Sequence, residues 1–219
     1  MTTSFETPAT TPPRPLWRGW LHLIGFPVLV VSSSILYIRC QTWQQAAWVS
    51  CYVIGVGSMM AISAAFHRIL WGPVGRRRMK RADHSGIFGA IVGSYLALAG
   101  LTMHGNIRWI LMVVIGASAL TGVMIRQMAL DAPKWANTIP YLVTGWAAVA
   151  VMPQIYRGSG LLAFMFVVAG GVAYSVGATF YATKKPRLKP EVFGYHELFH
   201  AFTLLGAGCH FAAIALVLH

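Results

Sequence analysis

Residues 46–70 read A-A-W-V-S-C-Y-V-I-G-V-G-S-M-M-A-I-S-A-A-F-H-R-I-L. No charged side chain interrupts this run before Arg68. As a helix rising 1.5 Å per residue it outlasts the ~30 Å apolar thickness of a bilayer. Ser63 and His67 fall near its end, four residues apart, and so share one helix face. The stretch predicts a transmembrane helix with a polar pair at one end, and polar or metal-binding side chains in that setting are expensive unless they are used.

The rest of the chain has the same texture. Fifty-seven percent of its 219 residues are hydrophobic and 10% are charged, with a mean hydropathy of +0.62. Soluble domains carry about 25% charged residues, so that class is excluded. Six further apolar stretches lie near 17–38, 84–103, 107–125, 139–152, 161–181 and 196–218. Together they predict an all-α fold, a polytopic seven-transmembrane helix bundle over residues 17–219. The fifth stretch is the shortest, and Pro27 and Pro153 are expected to kink or end their helices. Residues 1–16, rich in Thr and Pro and without a signal-peptide pattern, are expected to form a disordered cytoplasmic tail.

Charge predicts the orientation. With the N-terminus cytoplasmic, 14 of the 17 Lys and Arg residues fall inside, and only Arg39, Arg108 and Arg157 fall outside. This follows the positive-inside rule and places the C-terminus outside. The net charge of +12 is then a property of topology. The runs R-R-R-M-K-R and K-K-P-R-L-K-P are read as short cytoplasmic loops that attract anionic lipid headgroups. No folded basic module with stacking aromatics is evident, so a nucleic-acid partner is not expected. Cys40, Cys51 and Cys209 have no metal-ligand spacing and read as free thiols, although Cys40 and Cys51 flank one outer loop.

Five polar residues converge on the same predicted face. Ser63 and His67 end the second span, Asp83 opens the third, and His196 and His200 open the seventh. His196 and His200 are four apart and can both reach one ion. Three imidazoles with one position left open are the ligand set of a catalytic zinc centre. Asp83 suits two roles, helix N-cap or general base. Glu197 projects away from both histidines and is expected to pair with a basic residue. His22 reads as packing near the site, His84 as a partner of the groups around it, and His210 as ~15 Å too far along the helix to share the ion.

At these residues the chain resembles the hemolysin III branch of the progestin and adiponectin receptor (PAQR) family. The matching strings are S-A-A-F-H-R, then R-R-R-M-K-R-A-D-H-S-G-I-F-G-A-I-V-G-S-Y, then F-G-Y-H-E-L-F-H-A-F. The resemblance implies a seven-helix bundle with zinc near the cytoplasmic side, held by His67, His196 and His200. It further implies that Asp83 holds a zinc-bound water, with Ser63 beside it. Bacterial members commonly follow the tyrosine of the second string with Thr-Pro, whereas this chain reads Y-L-A-L-A-G over Tyr95–Gly100, which alters the helix and the cavity lining.

The expectation is therefore a multi-pass protein of a bacterial inner membrane that binds Zn2+. Its leading activity is hydrolysis of an amide- or ester-linked lipid, as in ceramidase-like relatives. The alternative is a cytolysin, channel or lipid sensor in which zinc only staples helices. A haem-binding cytochrome using His67 and His200 explains the serine and the aspartate poorly.

Overall fold

The computed structural model describes residues 14–218. Residues 1–13, most of the expected tail, and His219 lie outside the described residues. The described chain is helical throughout, with a lone bridge between Lys189 and Phe193 in place of any strand. Its helices are α1 (Trp20–Arg39), α2 (Trp43–Arg68), α3 (Pro73–Thr102), α4 (Gly105–Met128), α5 (Lys134–Trp146), α6 (Met152–Thr183) and α7 (Tyr195–Val217). A 3₁₀ stretch, Ala147–Val151, joins α5 to α6, so that 134–183 is one 50-residue helical stretch. Among the described residues, six such stretches are long and apolar enough to cross a membrane.

The fifth and sixth expected spans share that stretch. It breaks at Gly160, whose φ of 74° and ψ of 170° belong to no helix. The two limbs fold back on each other, since Trp146 Nε1 donates to Ser175 Oγ at 2.9 Å across the break. Pro153 sits in the first turn after the 3₁₀ stretch, and Pro27 lies within an uninterrupted α1.

Two expectations are corrected at α3. The basic run Arg76–Arg81 is helical rather than a loop, because α3 starts at Pro73, a residue suited to the first helical turn. Asp83 therefore stands ten residues inside the helix and caps nothing. Hydropathy misses this extension because Arg and Lys are good helix formers that add no apolar length.

Local chemistry sets the other ends. Thr42 and Gln45 form a reciprocal capping box at α2, with Gln45 N–H donating to Thr42 Oγ1 at 3.2 Å and Thr42 N–H to Gln45 Oε1 at 3.3 Å. At α7, Glu197 Oε2 accepts the Gly194 N–H at 2.8 Å. Between these ends, α3 is the hub of the bundle, packing on α2, α4, α5, α6 and α7, while α1 packs on α2 and α7. The approach of α2 to α3 depends on Gly55: a Cβ there would fall 2.5 Å from Gly89 O and 3.1 Å from Gly93 Cα. The outward faces of α1 and α4 expose Val28, Val31, Ile35, Val113, Leu120 and Met124, as lipid-facing helices do.

Candidate metal centre

The end of α2 is held from two sides. Arg14 Nη1 donates to His67 O at 2.5 Å, satisfying a carbonyl that the helix end leaves open, and Trp71 Nε1 adds a second donor at 3.0 Å to Ala65 O, which also accepts the Ile69 N–H. His67 is thus carried on an anchored turn. On α7, Glu197 meets Arg18 Nε at 2.5 Å while capping its own helix, so the turn bearing His196 is tied to the chain before α1. Glu197 is buried, and its basic partner is Arg18, within the first expected span, rather than a residue of the basic loops.

These anchors bring three imidazoles together from α2 and α7. One ring nitrogen each of His67, His196 and His200 lies within 4.8 Å of the others. The Nε2 atoms of His67 and His196 face each other at 3.1 Å. Nitrogens bound to one tetrahedral zinc at about 2.0–2.1 Å stand about 3.4 Å apart, so small side-chain rotations suffice to seat the ion. The donor set fits zinc. Both His67 and His200 are buried, and His196 is half-buried.

A fourth imidazole adjoins the triad. His22 of α1 stacks on His200 with ring centroids 4.0 Å apart and planes 16° apart. It is buried, and neither of its ring nitrogens has a hydrogen-bond partner among the described residues. Read from the sequence alone, it is expected only to pack near the site. Its wall of the site is explained by the position of α1 between α2 and α7.

Asp83 and Ser63 arrive from α3 and α2 with their side chains near one another. Both line a cavity of about 190 Å³ that also reaches His196 and His200. Along α3 the cavity wall runs from Asp83 to Ala99, about 24 Å at 1.5 Å per residue. Beyond its polar end the lining is largely aliphatic and aromatic, with Ser94, Tyr95, Tyr174, Ser175, Thr203 and His210 as polar exceptions. His210 is therefore in the cavity but outside the triad.

Arg126, which the charge pattern assigns to the cytoplasmic side, is not a solvated charge: it is 1% exposed within α4. Its guanidinium bonds Ala129 O at 2.8 Å, Tyr141 OH at 3.3 Å, Asn137 Oδ1 and the Nδ1 of His84. The available signal was its isolation from the basic clusters at the end of an apolar run. Nearby, Lys80 pairs with Asp131 at 2.8 Å and holds that exposed carboxyl below its ordinary range, a surface contact of little energetic weight.

A family model described as Haemolysin-III related matches residues 10–211. Among curated proteins, the chain is 26% identical to Hemolysin-3 of Bacillus cereus over 196 residues, 88% of this chain and 86% of that protein. It is also 26% identical to the Hemolysin-3 homolog of Bacillus subtilis (strain 168) over 197 residues, 88% of this chain and 89% of that protein. A plant protein, Heptahelical transmembrane protein 3 of Arabidopsis thaliana, is 24% identical over 219 residues, 93% of this chain and 55% of its own length.

Proposed function

The chain belongs to the Haemolysin-III related family of integral, multi-pass membrane proteins, and on that premise we propose that it is a zinc-dependent hydrolase of an amide- or ester-linked lipid. The observation that carries the reading is the meeting of three imidazoles with a Ser63–Asp83 pair at one end of a long apolar cavity. We place it in a bacterial inner membrane with seven crossings and a cytoplasmic N-terminus. The break at Gly160, which divides 134–183 into two limbs, supports that count, and the 14-to-3 partition of basic residues supports the orientation.

Zinc bound by His67, His196 and His200 supplies Lewis acidity toward a carbonyl oxygen and a water molecule. The protein's own groups do the rest. Asp83 accepts the proton of the attacking water and delivers it to the departing nitrogen or oxygen. Ser63, which lines the same end of the cavity, is placed to donate to the carboxylate and hold it in the orientation that this transfer needs. The apolar walls seat the acyl chain and exclude bulk water, which strengthens every polar interaction at the reacting end.

Elemental analysis of purified full-length protein tests the centre, with about one zinc per chain expected and none in a His196→Ala/His200→Ala variant. Asp83→Asn tests the chemistry: it retains the metal and loses at least ~100-fold in turnover of lipid amides or esters. Undiminished turnover in Asp83→Asn removes the base assignment. Absence of metal from protein purified without chelators removes the hydrolase reading altogether.

A further inference from the structure

Behind the cavity wall next to Asp83, one nitrogen of His84 faces the Arg126 guanidinium. A guanidinium has five donors and no acceptor, so the ring nitrogen it meets must hold a lone pair. That nitrogen is Nδ1, and the single proton of the neutral ring is then on Nε2. A doubly protonated ring would set N–H against N–H beside a buried cation. His84 is thus fixed in one tautomer. Its ring lines the cavity, and no described residue accepts a hydrogen bond from Nε2.

The remaining partners of Arg126 are neutral oxygens on Ala129, Asn137 and Tyr141. The two ion pairs among the described residues, Arg18 with Glu197 and Lys80 with Asp131, leave it without a carboxylate. An arginine withdrawn from water with only neutral partners polarises whatever it donates to. Here that is the imidazole of a residue that lines the cavity, with its Nε2 left free of any described partner. Tyr141 closes the arrangement by donating to the His84 carbonyl at 3.3 Å, which holds the backbone of that turn.

We propose that His84 is a fixed hydrogen-bond donor at the polar end of the cavity, positioned by Arg126, that takes an acceptor oxygen of the ligand's headgroup. The site is separate from the three-histidine cluster, to which neither residue belongs. Its ligand is an acyl-chain molecule with a carbonyl or equivalent proton-free oxygen at its polar end; a group that can only donate is rejected. This rests on the lipid reading above for the acyl chain alone, and not on the presence of turnover. Arg126 acts through His84 and is a positioning residue.

The test uses the full chain stripped of metal, in lipid nanodiscs, so that a failure of the hydrolase reading and a failure of this one are distinguishable. With histidine nitrogens labelled, nuclear magnetic resonance of the wild type should show His84 with a bare Nδ1 and a protonated Nε2, assigned by the signals lost in His84→Gln. Arg126→Gln should release the ring to a mixture of tautomers. The binding probe is a long-chain methyl ketone, compared with the alkane of equal length by native mass spectrometry. His84→Gln, whose amide both accepts from Arg126 and donates to the cavity, should keep the ketone affinity. His84→Phe should weaken ketone binding about tenfold and leave the alkane unchanged. A proton on Nδ1 in the wild type, or equal ketone affinity in His84→Phe, overturns the proposal. If Arg126→Gln does not fold, the wild-type spectrum and the two His84 variants still decide it.

Discussion

Gly55→Ala should loosen the bundle where α2 crosses α3, and its cost can be worked from the packing. The new methyl would stand 2.5 Å from Gly89 O, whereas ordinary contact begins near 3.4 Å, a shortfall of about 0.9 Å (3.4 − 2.5). The obstructing atoms are backbone, Gly89 O and Gly93 Cα, so no rotamer change relieves the clash and the helices must part. Overpacking of this kind costs about 1–3 kcal/mol, and the absence of a movable side chain points to the upper end. Alanine returns up to about 1 kcal/mol through its better helix propensity, leaving a net loss of about 2 kcal/mol. Gly57→Ala, two residues along the same helix, is the matched control, because its methyl would meet Phe26 Cε2 at an ordinary 3.5 Å. The assay is reversible unfolding in mixed detergent micelles followed by tryptophan fluorescence. Propensity cancels between the two variants, so their difference isolates the steric cost, about 3 kcal/mol. Equal stability of Gly55→Ala and Gly57→Ala would refute close helix approach as the reason for glycine here.

Other perturbations bear on the site directly. Gly19→Ala puts a methyl 2.7 Å from His67 Cβ at a φ of 83°, and left-handed backbone costs a non-glycine residue about 1–2 kcal/mol. His67 should shift and zinc affinity fall about tenfold in a chelator competition; unchanged affinity would show that the strain relaxes elsewhere. Glu197→Gln removes the charged partner of Arg18 and should lower stability by about 1–2 kcal/mol, read as a fall in the thermal midpoint. A chelator should lower the midpoint of the wild type but not that of His196→Ala/His200→Ala, because ligands that bind only the folded state stabilise it.

Much of this architecture was legible because lipid imposes a simple rule on sequence: long apolar runs must be helices. The runs ending at Arg39, Arg68, Thr102 and Met128 obey it to within a few residues at their apolar ends. The start of α3 was hidden because five of its first ten residues are basic and break the apolar signal. The fifth span was blurred because Pro133, Pro140 and Pro153 and a 3₁₀ stretch interrupt the period that a helix writes into sequence. The triad announced itself through local spacing, with His196 and His200 four apart and Ser63 four before His67. The Arg126–His84 contact has no such spacing; its members are 42 residues apart on different helices. A buried arginine and a loop arginine are the same letter at the end of an apolar run, and only the packing of α4 against α3 tells them apart.

The histidines that face each other at the centre are 129 residues apart in the chain. At a synthesis rate of roughly 5–20 residues per second, His67 enters the membrane roughly 6–26 s before His196 follows. For that interval its turn offers a single imidazole to any passing metal, too few ligands to retain one. A site that needs all three imidazoles is complete only when α7 packs beside α1 and α2, so occupancy of the proposed centre would record that synthesis has passed His200. A nascent chain abandoned anywhere before α7 carries its earlier helices with one imidazole of the three, and so has no cluster for an ion to occupy.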